Sequence, residues 1–169
     1  KNLINILKQI PKKSHPMDVA RTAVSVMGLE DKETKDNSPK ANLRKALRIL
    51  AKTPAALAVF YRLRKGKKII TPKKKFSFSE NFFYMCFGKV PNKEIVKAFD
   101  VSLILYAEHS FNVSTFTART ITSSLSDIHG AITGAIASLK GPLHGGANEE
   151  VMHMMKKIKK PENALKWIT

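Results

Sequence analysis

The chain has 169 residues, of which 43% are hydrophobic, and its 30 lysines and arginines against 13 aspartates and glutamates give a formal net charge of +17. This length and apolar fraction suit one compact domain with a real core, and no stretch approaches the roughly 20 consecutive apolar residues of a membrane span. A single cysteine excludes an internal disulfide.

The basic excess raises nucleic acid or an anionic membrane as partners. The lysines, however, are scattered in short runs beside proline or glycine turns, at residues 65–68, 73–75 and 156–160. Such runs are more typical of solvated loops than of a recognition stripe, and the aromatic and glycine pattern of single-strand binders is missing from the sequence. We therefore expect neither nucleic acid nor a membrane as partner, and part of the charge can steer acidic substrates.

Helical spacing of apolar residues predicts the first two elements. Residues 1–10 form the end of a helix that stops at Pro11, and a second helix carries an apolar face. We expect Ser14 to cap this second helix, Gly28 to end it, and His15 to have a structural role in the turn. The apolar face of the second helix consists of Val19, Ala23, Val26 and Met27.

A polar stretch at residues 30–40 is predicted to be a loop, and Ser38 followed by Pro39 is typical of a helix start. The next helix, residues 41–63, is expected to be kinked or broken at Pro54. The helical pattern of this segment is formed by Leu43, Leu47, Leu50, Leu57 and Phe60.

A basic connector at residues 66–78 leads to a helix that Ser79 can cap and that carries the aromatic run 82–87. Cys86 lies in this run and is predicted to be a buried small hydrophobe. A further helix is predicted at residues 93–108. No alternating pattern is long enough to indicate a strand, so the fold class is predicted to be all-α.

One apolar stripe predicts a helix at residues 127–140, formed by Ile128, Ala131, Ile132, Ala135, Ile136 and Leu139. Gly130 and Gly134 lie within it, and each costs about 1 kcal/mol relative to alanine in a helix interior. We therefore expect a neighbouring helix to approach closely here. Gly141 in a left-handed conformation, followed by Pro142, is expected to end the helix.

The next residues, Leu143, His144, Gly145 and Gly146, are predicted to form a short exposed turn before a helix with acidic residues in its first turn. The positive end of that helix disfavours an imidazolium, so a neutral His144 can donate an N–H to a carbonyl on which negative charge develops. The residues alone leave two interpretations open, a catalytic or ligand-binding histidine and the commoner plain loop histidine.

Three blocks of sequence, in this order, resemble the citrate synthase family: SHPMDVARTAVSVMG at 14–28, EHSFNVSTFTAR at 108–119 and GPLHGGANEEV at 141–151. The form YAEHSFN followed by STFTAR is especially similar to the bacterial 2-methylcitrate synthase branch. The resemblance implies a citrate-synthase-like large helical domain. Residues 1–169 would be part of that domain, in a chain that lacks the small domain and the C-terminal catalytic motifs.

In that family an enolisable acyl-CoA condenses with the ketone of a 2-oxo dicarboxylate, and water then releases CoA. The resemblance implies a transferase that acts on oxaloacetate and either acetyl-CoA or propionyl-CoA, as in the tricarboxylic acid cycle. It implies a homodimer and no cofactor besides these substrates. The second catalytic histidine, the aspartate base and the carboxylate-binding arginines belong to motifs beyond Thr169, so we expect the isolated chain to be inactive.

The resemblance also implies roles for single residues. His144 would be the catalytic group that stabilises the enol, and His109 with Asn112 would bind the oxo-acid. The loop next to coenzyme A would consist of Leu143, Gly145 and Gly146.

Other polar residues of this region are expected to be structural. Ser114 or Thr115 is predicted to cap the helix that follows His109, and Arg119 is predicted to form a structural salt bridge. His129 and His153 match no functional position of the family.

Several classes of site find no support in the sequence. The five histidines lack the close spacing of metal ligands, and no Walker loop, dinucleotide fingerprint or serine elbow is present. A reducing cytoplasm is the default compartment, although a missing N-terminus could have carried an address. Two alternatives to the synthase remain: a basic helical nucleic-acid-binding protein, and a catalytically inactive relative that keeps only the fold.

Overall fold

The structure, a computed structural model, describes residues 2–108 and 110–168. Over these ranges it consists of helices without strands, so the all-α prediction is confirmed. None of the helices in the described ranges is long and apolar enough to cross a membrane. In chain order they are α1 (Asn2–Gln9), α2 (Pro16–Glu30), α3 (Pro39–Arg64), α4 (Phe78–Phe87), α5 (Lys93–Leu105), α6 (Val113–Ser123), α7 (Ile128–Leu139), α8 (Gly146–Ile158) and, after a short 3₁₀ turn, α9 (Ala164–Ile168).

The main hydrophobic core lies where α1, α2 and the second half of α3 meet. Burial of this apolar surface is the dominant favourable contribution to folding. A second cluster, with Met85 and Cys86, joins α4 to α3, and the predicted burial of Cys86 is confirmed. The main core consists of Leu7, Val19, Ala23, Met27, Ala56, Val59 and Phe60.

Side-chain caps start most of the helices, but the predicted caps of α2 and α4 are wrong. α2 is capped by His15, whose Nδ1 accepts a hydrogen bond from the backbone N–H of Met17 (3.2 Å), and not by Ser14. α4 is capped by Ser77 in a reciprocal capping box with Glu80. The hydroxyl of Ser79 is buried and bonds to Asp100 instead. In each case a polar residue one or two positions away had the better geometry, which the sequence alone does not reveal.

The predicted helix end at Gly28 and the predicted break at Pro54 are both absent. α2 continues through Gly28 to Glu30. Gly28 lies inside the helix and serves packing, because His129 occupies the space that a side chain would need. α3 is one continuous helix through Pro54. The proline removes only the hydrogen bond to the carbonyl of Leu50, whose side chain is 61% exposed, and packing holds both halves of the helix.

The first half of α3 buries a face different from the predicted one. Leu43, Leu47 and Leu50 are 63%, 57% and 61% exposed. Lys45 and Ile49 are buried instead, and the Lys45 ammonium donates to the backbone carbonyl of Asp36 (2.6 Å). The leucines share a helix face, but that face meets no other described element.

Candidate functional site

The framework of the site is the antiparallel pair α6 and α7. A Cβ added to Gly134 of α7 would overlap Ile121 of α6, and Thr117 lies 3.6 Å from the same point. The predicted close approach of a neighbouring helix is therefore confirmed. The apolar stripe of α7 is only half-buried apart from Ala131, because the structure covers one flank of the helix and leaves the other open.

α7 also crosses α2, and the crossing point is Gly28 against His129. A Cβ on Gly28 would lie 2.9 Å from Cβ of His129, so the backbone of α2 packs directly against the His129 side chain of α7. The His129 ring is buried, with Nε2 3.6 Å from Asp31 and Nδ1 3.5 Å from Asp127. His129 therefore belongs to the packing of the framework.

Charges around this crossing are paired. Burial alone would raise the pKa of Asp31, but hydrogen bonds from Arg48 and from the backbone of Glu33 lower it overall. Burial lowers the pKa of His129, against the opposing effect of Asp31 and Asp127. The imidazole is consequently neutral near pH 7.

The loop after α7 folds around two backbone carbonyls. The N–H of Gly145 donates to the carbonyl of Leu139 (2.9 Å), and the N–H groups of His144 and Gly146 both donate to the carbonyl of Gly141 (3.0 and 3.1 Å). A Cβ on Gly145 would collide with the Leu139 carbonyl, so this position needs glycine. Gly141 does not take the predicted left-handed conformation, since these bonds close the helix end without it.

Ser114 fixes the ring of His144. The Ser114 hydroxyl oxygen, in the first turn of α6, lies 2.7 Å from Nε2 of His144. His144 is half-buried and lies two residues before the N-terminus of α8. A neutral imidazole has one donor nitrogen, so a serine that donates to Nε2 leaves the proton on Nδ1.

Asn112 is the N-cap of α6. Its side-chain oxygen accepts a hydrogen bond from the backbone N–H of Thr115 (3.0 Å), so the prediction that Ser114 or Thr115 caps this helix is wrong. The short Asn112 side chain reaches the orphan N–H group first, which leaves the Ser114 hydroxyl free for His144. The side-chain N–H₂ of Asn112 forms no hydrogen bond with the described residues and can donate to a ligand.

A cleft of about 690 Å³ opens beside these residues, between α6 and α7. Asn112, Ser114 and Arg119 line it, together with apolar atoms of Ile132 and Ala135. Arg119 is exposed and forms no ion pair with any described residue, so its predicted salt bridge is not found in that part of the chain. The cleft therefore offers hydroxyl, amide and guanidinium groups at its mouth.

The N-terminus of α2 holds the opposite side of the loop. The Lys140 ammonium lies 2.7 Å from Oδ2 of Asp18, and Arg21 donates to Oδ1 of the same carboxylate (3.0 Å). The hydrogen bond from Lys140 keeps the pKa of Asp18 below its usual value. Nearby, Nε2 of His15 lies 3.7 Å from a carboxylate oxygen of Glu149.

The structure brings together some of the residues predicted from sequence. His144, Gly145 and Gly146 form one turn, and Asn112 lies on the helix whose serine contacts His144. Leu143 is fully exposed in the same turn. His109 lies outside the described residues, so its predicted role stays a prediction. α5 ends at Leu105, three residues before the predicted end of that helix.

Ser114 was not recognised from the sequence as a partner of His144. A serine near the start of a helix is ordinarily a cap, and nothing local indicates a contact thirty residues away. Among the described residues, no group of three or more histidine, cysteine, aspartate or glutamate side chains could hold a metal ion.

Comparison with known protein families shows to which family the chain belongs. A family model described as "Citrate synthase, C-terminal domain" matches residues 1–169. The match covers the whole sequence and includes the three motif blocks. The chain belongs to the citrate synthase family.

Relatives within the family carry two names. The chain is 49% identical over 168 residues to a 2-methylcitrate synthase of Mycobacterium tuberculosis, which covers 99% of this chain and 42% of the relative. It is 52% identical over 171 residues to 2-methylcitrate synthase 2 of Corynebacterium glutamicum, and the match covers 98% of this chain and 45% of the relative. Citrate synthase 2 of Bacillus subtilis is 49% identical over 154 residues, with 91% and 41% covered. The chain thus spans less than half the length of these relatives.

Solved structures agree with the fold. Citrate synthase from Thermotoga maritima superposes with a TM-score of 0.80 at 36% identity, over 99% of this chain and 43% of that one. A ternary complex of carboxymethyl coenzyme A and oxaloacetate with citrate synthase from Thermoplasma acidophilum gives 0.83 at 32% identity, over 99% and 44%.

Proposed function

We propose that the full-length protein condenses an acyl-CoA with oxaloacetate through an enol intermediate, as a citrate or 2-methylcitrate synthase. The observation that carries this proposal is the contact between Ser114 and His144, in a loop at a helix entrance of a chain that belongs to the citrate synthase family. Residues 1–169 are, in this proposal, part of the large helical domain.

His144 is the proposed catalytic group. Its uncharged ring donates an N–H to the thioester oxygen while an aspartate outside this chain removes the α-proton. The negative charge that develops on the oxygen meets a donor already held in place by Ser114, so little reorganisation is needed.

The oxo-acid is proposed to lie on the α6 side of His144. Asn112 lines the 690 Å³ cleft, and its free amide N–H₂ can donate to a carboxylate oxygen. His109, three residues before Asn112, is proposed as the second donor to the oxo-acid. The cation Arg119 at the same cleft adds a positive potential for a dianionic substrate.

The acyl-CoA is proposed to approach the other side of the turn. Leu143 is fully exposed and offers an apolar surface, and Gly145 and Gly146 complete the proposed loop next to the acyl-CoA. The acyl-CoA and oxaloacetate are the substrates, and no further cofactor is included in the proposal.

We further propose a homodimer in the cytoplasm. Leu105, Phe111 and Phe116 are 71%, 101% and 71% exposed, which is unusual for large apolar side chains around one helix start. Apolar surface of this kind marks an interaction site, and a second subunit is the occupant that the family resemblance implies.

The test is a condensation assay of the full-length protein with oxaloacetate and either acetyl-CoA or propionyl-CoA. The release of free CoA thiol measures the rate. Turnover with either donor supports the proposal, and the ratio of the two kcat/KM values distinguishes the citrate from the 2-methylcitrate activity. No thiol release with either donor, by a protein that folds, would favour the inactive relative. The nucleic-acid alternative predicts instead a salt-dependent retention of DNA or RNA on a filter.

A further inference from the structure

An ion pair of the framework reaches the His144 loop from the side opposite Ser114. Lys140 is the C-cap of α7 and the first residue of the loop. Its ammonium is 2.7 Å from the carboxylate of Asp18 in the first turn of α2. The two residues are 122 positions apart in sequence. The contact therefore fixes the loop relative to a distant part of the chain.

We infer that Asp18 is a positioning residue, which holds the His144 loop in its reactive geometry through Lys140. The inference rests on the proposed function of His144. The start of α2 also approaches α8, where Nε2 of His15 lies 3.7 Å from a carboxylate oxygen of Glu149, a longer contact than that of the Asp18–Lys140 pair.

Helix electrostatics favour this arrangement. Asp18 lies at the positive end of α2 and Lys140 at the negative end of α7. Each charge is therefore stabilised by the dipole of its own helix as well as by the other charge. Arg21 donates to the other carboxylate oxygen of Asp18 (3.0 Å) from within the same helix.

The pair has little to contribute to global stability. The side chains of Asp18 and Lys140 are 30% and 40% exposed, and exposed ion pairs contribute little to stability. Loss of the pair should therefore leave the fold intact. A catalytic rate, in contrast, is sensitive to the position of the reacting groups, where a misplacement of about 1 Å costs as much as ~10²-fold.

The experiment is a double-mutant cycle in the full-length protein. We expect Asp18→Asn and Lys140→Met each to lower kcat by about ten-fold, less than the full penalty of a 1 Å misplacement. The KM for oxaloacetate should change little, and the double variant should be no slower than either single variant. Lys140→Arg, which keeps the charge, should restore most of kcat.

Arg21→Gln is the matched control, because it removes the other cation from the same carboxylate without touching the loop. It should keep the wild-type kcat. Hydrogen exchange of the amides at residues 141–147 gives a readout independent of activity, and should be faster in Asp18→Asn but not in Arg21→Gln.

The outcomes separate the inference from the proposed function. Wild-type kcat in both single variants, additive losses in the double variant, or an equal loss in Arg21→Gln would overturn the positioning role. An active His144→Ala protein would overturn the proposed catalytic role of His144, whatever the ion pair does, and no condensation by the wild-type protein would overturn the proposed function.

Discussion

The Ser114 hydroxyl oxygen and Nε2 of His144 are 2.7 Å apart, although thirty residues separate them in sequence. Close packing of α6 against α7, with Gly134 directly beneath Ile121, brings the first turn of α6 to the loop that follows α7. The contact fixes which way the ring of His144 faces. The geometry of the proposed catalytic group is thus set by a helix pair.

Removal of the serine hydroxyl tests this orienting contact. A net hydrogen bond is worth about 1 kcal/mol, so Ser114→Ala should lower kcat by about five-fold. CoA-ester binding should be less affected, since the ring acts on charge that develops in the transition state. Ser124→Ala is the matched control, because its hydroxyl bonds only to the nearby carbonyl of Ile121. Equal kcat values for wild type and Ser114→Ala would show that the contact does not orient the ring.

A second prediction concerns the crossing of α2 and α7. Gly28→Ala places a methyl group 2.9 Å from Cβ of His129, which is rigid, so overpacking should lower the free energy of unfolding by about 1–3 kcal/mol. Gly130→Ala is the control, because its nearest neighbour is the Ser126 hydroxyl at 3.1 Å, which can rotate away. Urea unfolding of both variants measures the difference. Similar stabilities would mean that the crossing has room to relax.

The third prediction is a pH dependence of stability that arises from His129. Burial lowers the pKa of His129 in the folded protein below 6.5, its ordinary value. As the pH falls through about 6.5 the unfolded chain takes up a proton that the folded chain does not, so stability decreases on acidification. The favourable contribution of the neutral ring is therefore present above this pH.

Urea unfolding at several pH values measures this effect. His129→Gln should flatten the dependence between about pH 7.5 and pH 5.5, where an ordinary histidine titrates. The ring signal of His129 in an NMR titration of the wild type gives an independent check. A pKa at or above 6.5 for that signal would show that Asp31 and Asp127 outweigh burial.

The sequence predicted which segments are helical much better than which faces they bury. The predicted apolar face of α2, formed by Val19, Ala23, Val26 and Met27, is buried, although Leu29 of the same helix is 85% exposed. In the first half of α3, leucines and buried residues compete on different faces, and periodicity selected the leucines. The correct face depends on where α2 and the turn before α3 lie, which is tertiary information.

The sequence also predicted only part of the candidate site, because the rest depends on tertiary contacts. The glycines around His144 indicated a turn at a helix entrance, and the turn is found there. Ser114, Asp18 and Lys140 were not linked to it, because each contact joins elements far apart in sequence. Local patterns specify caps and turns, whereas contacts between helices require the packed structure.

The most direct test of the central claim is the rate of the His144→Ala variant of the full-length protein, measured with oxaloacetate and both acetyl-CoA and propionyl-CoA. His144 lies in a half-exposed turn, so circular dichroism and unfolding should resemble those of the wild type. Loss of one donor to a developing oxyanion should lower kcat by about 10²–10³-fold, with a much smaller change in acyl-CoA binding. Near-normal condensation with either acyl-CoA would contradict the assignment of His144 as the group that stabilises the enol.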